Sequence, residues 1–87
     1  MKVKPYHILV KHEYEAKDIQ RMLDTGKSFE ELAKKFSICG SSQNGGFLGE
    51  VDSKRLDPDF LEAFESLKPG QISKPTRTAF GWHLIKK

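Results

Sequence analysis

Two short segments at opposite ends of the chain, Tyr6-His7-Ile8-Leu9-Val10 and Trp82-His83-Leu84-Ile85, repeat one pattern: an aromatic residue, a histidine, then aliphatics. Successive side chains of a β-strand point to opposite faces, so each histidine is turned away from the aromatic before it. If the two segments pair, both histidines can occupy the same face of one sheet. Everything between them must then fold back over a sheet built from the two ends. With 87 residues there is room for one modest core, because a domain this small buries only about 60 to 65% of the surface its unfolded chain exposes. A lone histidine in a strand is more often a satisfied structural residue than a catalyst. The pair is the informative feature.

Periodicity supplies the intervening elements. Val3 to Lys11 reads as a first strand, with Tyr6, Ile8 and Val10 on one face and His7 and Leu9 on the other. Ala16, Ile19, Met22 and Leu23 recur at helical spacing between Glu13 and Thr25, and Gly26 stands where a helix-ending glycine belongs. Ser28 and Glu31 have the spacing of a capping box, ahead of the stripe Phe29, Leu32, Ala33 and Phe36. A loop from Ser37 to Gly46 holds Cys39 and leads to a short strand over Phe47 to Val51. Asp57-Pro58 opens a third helix with Phe60, Leu61, Phe64 and Leu67 on its apolar face, and Pro69-Gly70 closes it. Gln71 to Ser73 is at most a short edge strand, and Phe80 to Lys87 a terminal one. The order β-α-α-β-α-β-β predicts an α+β fold, a single domain over residues 1–87 with helices packed on a small sheet.

Composition narrows the function classes. The net charge is only +3, and the lysines are scattered among acids rather than gathered in a block, so nucleic acid is not an expected partner. The apolar stretch after Met1-Lys2-Val3-Lys4-Pro5 is too short for a leader or a membrane span, which leads us to expect a cytoplasmic protein with no membrane partner. Cys39 is the single cysteine, and its spacing from the three histidines fits no zinc pattern, so neither a metal nor another cofactor is expected.

The chain resembles the parvulin family of peptidyl-prolyl cis/trans isomerases over nearly its whole length. The resemblance rests on His7-Ile8-Leu9-Val10, Ser28-Phe29-Glu30-Glu31-Leu32-Ala33, Ser37-Ile38-Cys39, Asn44-Gly45-Gly46-Phe47-Leu48-Gly49, Phe60 to Phe64, Lys68-Pro69-Gly70-Gln71-Ile72-Ser73 and Phe80-Gly81-Trp82-His83-Leu84-Ile85. No single piece is diagnostic; their common order and spacing are. The resemblance implies a parvulin (FKBP-like) fold, a four-stranded antiparallel sheet surrounded by helices, with His7 and His83 hydrogen-bonded beneath a catalytic cleft. It places Cys39 opposite the prolyl amide, Leu48, Leu56 and Phe60 around the proline ring, Thr78 in the histidine network and Phe80 at the rim. The implied function is cofactor-free rotation about Xaa-Pro bonds in proline-containing peptides and flexible protein segments, by a monomer that assists folding. A catalytically weak parvulin-fold peptide-binding or chaperone module is the alternative from another class.

Three readings of Cys39 stand: a core thiol, a nucleophile beside histidine, or a polarizable group near the amide carbonyl. The family's tolerance of aspartate at this position favours the last. His7 and His83 are read as holding the site rather than shuttling a proton, and His12 as a solvated loop residue. Phospho-specific members carry a longer basic loop after the first strand, whereas Val10-Lys11-His12-Glu13-Tyr14 runs straight into a helix, and Ile38 stands where they have an acid. The resemblance therefore implies a preference for uncharged residues before proline.

Overall fold

The computed structural model describes all residues, Met1–Lys87. Eight regular elements follow in order: β1 (Lys2–Val3), β2 (Tyr6–Val10), α1 (Glu13–Asp24), α2 (Phe29–Phe36), β3 (Val51–Asp52), α3 (Pro58–Glu65), β4 (Thr76–Thr78) and β5 (Gly81–Lys86). Two 3₁₀ turns, Gly40–Asn44 and Ser53–Arg55, flank β3.

The histidine-bearing segments do pair. β2 and β5 run antiparallel with Leu9 opposite His83 and His7 opposite Ile85, so the two histidines lie diagonally across one face. β4 pairs with the other edge of β5, giving the order β2-β5-β4 with β5 central.

The predicted four-stranded sheet is instead a three-stranded sheet and a separate two-stranded one, in which β1 pairs with β3. Three local causes account for the difference. Pro5 has no N–H to give to a ladder, and the predicted first strand breaks at Lys4-Pro5 into β1 and β2. The predicted strand over Phe47 to Val51 is reduced to one bridge, Tyr6 with Phe47, and to Val51, which opens β3; between them Gly49 turns the chain at φ 79°. The predicted edge strand at Gln71 to Ser73 is likewise one bridge, Ile72 with Lys86, and the true edge strand β4 starts just after Pro75.

What covers the outer edge of β2 is the cysteine loop and its continuation. Leu9 donates its N–H to Ser37 Oγ (3.0 Å) and accepts from Ile38 N (2.9 Å), while His7 N donates to the Gly46 carbonyl (2.9 Å) and Leu48 N to that of Pro5 (3.0 Å). The approach is close. A Cβ on Gly46, which has φ 88°, would stand 2.5 Å from the His7 carbonyl oxygen, so only glycine fits.

The helices cap as their sequences suggest. Lys27 N donates to Met22 O (3.1 Å) and Gly26 N to Leu23 O (3.0 Å) at the end of α1, the paired bonds of a Schellman ending. Ser28 Oγ accepts from Glu31 N at the start of α2 (3.4 Å). Asp57 Oδ1 accepts from Asp59 N (2.8 Å) and Phe60 N (3.4 Å) ahead of Pro58. α3 stops at Glu65 and does not reach Leu67. His12 is the N-cap of α1, exposed as expected, with its N–H donated to Glu15 Oε1 (3.2 Å).

Two apolar clusters fill the two sides of the sheet. Ile8, Val10 and Leu84 pack with Ala16, Ile19, Phe29, Leu32 and Ala33 of α1 and α2. On the other side Ile85 joins Val3, Phe60 and Phe64, with Leu48, Val51, Leu56, Ala63 and Leu67 packed around them. Fully burying an aliphatic or aromatic side chain of this size contributes about 1.5 to 3 kcal/mol, and the first cluster is the larger.

Candidate active site

His7 and His83 both project to the α3 side, and both are buried, His7 with 5% of its surface exposed. Their Nδ1 atoms are 2.9 Å apart, so one ring donates and the other accepts. His83 Nε2 lies 2.7 Å from Thr78 Oγ1, which also accepts the N–H of Phe80 (3.1 Å). A hydrogen-bonded chain therefore runs from the β4–β5 turn through β5 to β2.

Phe60 roofs the histidines. Its ring meets His83 edge-on at 5.3 Å and His7 at 5.6 Å between centroids. Leu48 and Leu56 pack against the same cluster from the segments before and after β3. Of the three apolar residues implied for the proline pocket, Phe60 meets both histidine rings, and Leu48 and Leu56 pack on the cluster that holds it.

Cys39 is placed by Ser37, whose Oγ accepts from both Leu9 N (3.0 Å) and Cys39 N (3.4 Å) and so ties the loop to the end of β2. The side chain is half-buried, and its thiol makes no hydrogen bond to either imidazole. That geometry lacks the thiol–imidazole contact through which a histidine activates a cysteine nucleophile. In the sequence Ser37 stands only as part of a motif; its anchoring role comes from a contact 28 positions away, which no local signal reveals.

At the rim, Phe80 is 70% exposed and Ile38 55% exposed. Gly81 follows Phe80 with φ 140°, and a Cβ there would stand 2.6 Å from the Val10 carbonyl oxygen. This brings the Phe80 turn to the end of β2, where Ile38 also docks through its bond to Leu9. The two exposed apolar side chains therefore flank the same end of the site.

Burial pushes the His7 imidazole down to about 4, with His83 beside it acting in the same sense. Burial also takes His83 to about 4, against the Asp57 carboxylate, which pulls it upward. At neutral pH both rings are uncharged. A base this weak is poorly matched to proton transfer near pH 7, whereas two neutral rings suit a fixed donor–acceptor chain.

A buried, uncharged histidine pair thus lies beneath Phe60 on a small antiparallel sheet. Comparison with known proteins shows the family. The model of the "Rotamase: PPIC-type PPIASE domain" family matches residues 7–87, and the chain belongs to this family of peptidyl-prolyl isomerase domains. It is 48% identical over 82 residues to the foldase protein PrsA of Clostridium botulinum, covering 92% of this chain and 24% of that one. The structure of the peptidylprolyl isomerase PrsA of Bacillus anthracis superposes with a TM-score of 0.94 at 49% identity, covering 98% of this chain and 40% of that one. The parvulin NmPin of Nitrosopumilus maritimus superposes at 0.84 with 38% identity, covering 98% and 92% of the two chains.

The chain spans about a quarter to a third of the length of the curated relatives it matches. Its first residues thus carry no information about compartment, and the cytoplasmic expectation drawn from them loses its basis.

Proposed function

We propose that residues 1–87 act as one domain that catalyses rotation about Xaa-Pro bonds in flexible protein segments, as a single copy and without cofactor. The observation that carries this reading is the uncharged His7–His83–Thr78 chain lying directly beneath Phe60.

The task is torsional. The peptide C–N barrier is about 18 to 20 kcal/mol, and uncatalysed Xaa-Pro exchange takes tens to hundreds of seconds. No bond need break. Amide resonance places negative charge on oxygen and positive character on nitrogen, and both fade as the bond twists, so surroundings less polar than water favour the twisted state. Phe60, Leu48 and Leu56 hold the proline ring by apolar contact while the carbonyl swings. His7, His83 and Thr78 keep the floor rigid without presenting charge. Cys39 stands where a polarizable, partly exposed group meets the moving carbonyl. Tighter binding of the twisted form than of either planar isomer is then the source of the rate.

The rim sets the choice of substrate. Exposed Ile38 and Phe80 offer apolar contact to the residue before proline. Lys11 ends a direct passage from β2 into α1 with no intervening basic loop, so the site favours uncharged residues there and does not require a phosphate. The direct test is two-dimensional exchange NMR on an Ala-Pro or Leu-Pro peptide with a catalytic amount of the protein. Cis/trans exchange cross-peaks should appear that the peptide alone lacks. Shift changes on binding without any exchange would instead establish a peptide-binding module of the same fold.

A further inference from the structure

The free edge of the three-stranded sheet lies beside the site. His7 N donates to Gly46, Leu9 N donates to Ser37, and the Leu9 carbonyl accepts from Ile38, so these two residues turn their main-chain groups away from β5. Bonding alternates along an antiparallel ladder. Tyr6, Ile8 and Val10 therefore bond to Lys86, Leu84 and Trp82, which leaves Gly81, His83 and Ile85 turned the other way. Ile85 bears this out: its carbonyl accepts from Ser73 N (2.7 Å) and its N–H donates to Ser73 Oγ (3.0 Å). Opposite His83 and Gly81 stand Thr76 and Thr78. Arg77, between them, points its N–H and carbonyl away from β5, and no further strand pairs with β4.

A groove of about 750 Å³ runs between that edge and α3. Its helical wall is Asp59, Glu62, Ala63 and Ser66, whose spacing marks one face of a helix. That wall is about 10 Å long, the length of about three extended residues. The groove opens on the site: Thr78, which lines it, bonds to His83, and Asp59 adjoins Phe60. Between Leu56 and Leu67 the chain carries Asp57, Asp59, Glu62 and Glu65 and no lysine or arginine. Asp59 and Glu62 are exposed, and neither they nor Arg77 take part in an ion pair. Alternation sends the Arg77 side chain to the opposite face from Thr76 and Thr78, so the groove meets its backbone. A strand of three residues that follows Pro75 is guarded against pairing with another sheet. What it leaves open is a single residue of ladder, which suits a short flexible segment.

We infer that this groove is a second subsite, which takes the substrate residues following proline as an extended segment paired with Arg77 and selects a lysine or arginine among them through Asp59 and Glu62. The direction rests on the isomerase reading, in which Phe60 holds the proline ring while Ile38 and Phe80 meet the residue before it. A chain leaving Phe60 on the other side has the α3–β4 groove ahead of it. The donor and acceptor of Arg77 match those of one extended residue. The two unpaired carboxylates match a basic side chain carried by that residue or its neighbour.

Shift titration of the isotope-labelled protein tests this with the peptide Ala-Ala-Pro-Ala-Lys-Ala-Ala and its Gln and Glu counterparts at the lysine position. The amide signals of Arg77 and Ala79 should move together with those of Glu62 and Ala63. In low salt the Lys peptide should bind about threefold tighter than the Gln peptide, with the Glu peptide weakest, and the three should converge in high salt. Asp59→Asn combined with Glu62→Gln should erase the advantage of lysine. N-methylation of the residues after proline, one at a time, should at one position weaken binding about fivefold. Shifts confined to the surroundings of Ile38 and Phe80, with Arg77 unmoved, overturn the groove. An equal gain from lysine placed before proline overturns the direction, and a lysine advantage that survives the double variant overturns the role of the acids. N-methylation without effect at every position overturns the strand pairing. Arg77 shifts that grow with protein concentration and no peptide assign the edge to a second copy instead. Failure of the isomerase reading appears separately, as no catalysed exchange by the unaltered protein while the Arg77 shifts remain.

Discussion

The two faces of the β2–β5 pair are built from alternate residues of the same strands, yet they do opposite work. Ile8, Val10 and Leu84 face α1 and α2 in a cluster of buried aliphatic and aromatic side chains, with Tyr6 and Trp82 packed against it. His7 and His83, one residue along, face α3 and bury ring nitrogens that must find partners. The period of two in a strand allows a dry face and a polar face to share one backbone. Apolar packing dominates the first and buried polar groups mark the second, so changes on the two faces should separate by their pH dependence.

The largest effect is expected from acid on the polar face. Both histidines titrate near 4 when folded, against 6.5 for the ordinary side chain. As pH falls through 6.5 the unfolded chain takes up protons before the folded one does, so stability present above that value is lost progressively down to about 4. The loss is on the order of 3 kcal/mol per histidine, a large share of the roughly 5 to 15 kcal/mol that holds a domain together. Urea midpoints at pH 7, 6 and 5 measure it. A midpoint that stays level over that range would mean the pair is not buried as described.

Next in size is damage to the dry face. Ile8→Ala should cost about 2 to 5 kcal/mol, for lost transfer free energy plus the cavity left behind. The loss should be nearly the same at pH 7 and pH 5, because neither His7 nor His83 faces that cluster. A strongly pH-dependent cost would show that the two faces are coupled.

The contrast between the faces also explains what was legible in the amino-acid sequence. The pairing of the end segments, the shared face of His7 and His83, the helix caps at Ser28 and Asp57 and the contiguity of Phe60 with Leu48 and Leu56 all follow from periodicity or from family motifs. The division into two sheets did not, because it depends on Pro5 and Gly49 diverting a chain whose residues otherwise suit strands. β4 was missed because Thr76-Arg77-Thr78 is three residues long, after a proline, and has no apolar alternation of its own. Pairing with β5 makes it a strand. Ser37 was legible only as part of a motif, since its anchoring of the loop rests on a bond to backbone 28 positions away.

Within the polar face, roof and wall should separate in turn. If Phe60 holds the proline ring as proposed, Phe60→Ala should weaken peptide affinity and exchange rate together, besides costing about 3 to 5 kcal/mol of stability. Cys39→Ala should lower the rate and leave affinity nearly intact, as expected for an interaction stronger in the transition state. Cys39→Asp should keep more activity than Cys39→Ala if a negative or polarizable group near the carbonyl is what counts. Equal inactivity of both cysteine variants would favour an attacking thiol. Exchange NMR and shift titration on one peptide give both quantities.

The smallest expected effect concerns charge at the rim, and it is informative because it should be close to nothing. A phosphoserine before proline brings a charge of about −1.5 to −2 at neutral pH, and to profit from it the site would need converging cationic groups at hydrogen-bond distance. At this end of β2 the exposed large apolar side chains are Ile38 and Phe80, and a single exposed cation, Lys11, follows Val10 before His12 and the 12-residue helix α1, which begins at Glu13. Desolvating a phosphate against those two apolar groups is unfavourable, while the net charge of +3, spread along the chain, offers only a weak general attraction. That attraction is screened over about 8 Å at physiological ionic strength. Phosphoserine-Pro peptides should therefore turn over no faster than Ala-Pro or Leu-Pro peptides in 150 mM salt, and any advantage at low salt should vanish on raising it. Phe80→Lys should narrow the gap by supplying the missing cation. A clear phosphopeptide preference of the unaltered protein that persists at high salt would locate a built anion site at the rim and refute the apolar reading of Ile38 and Phe80.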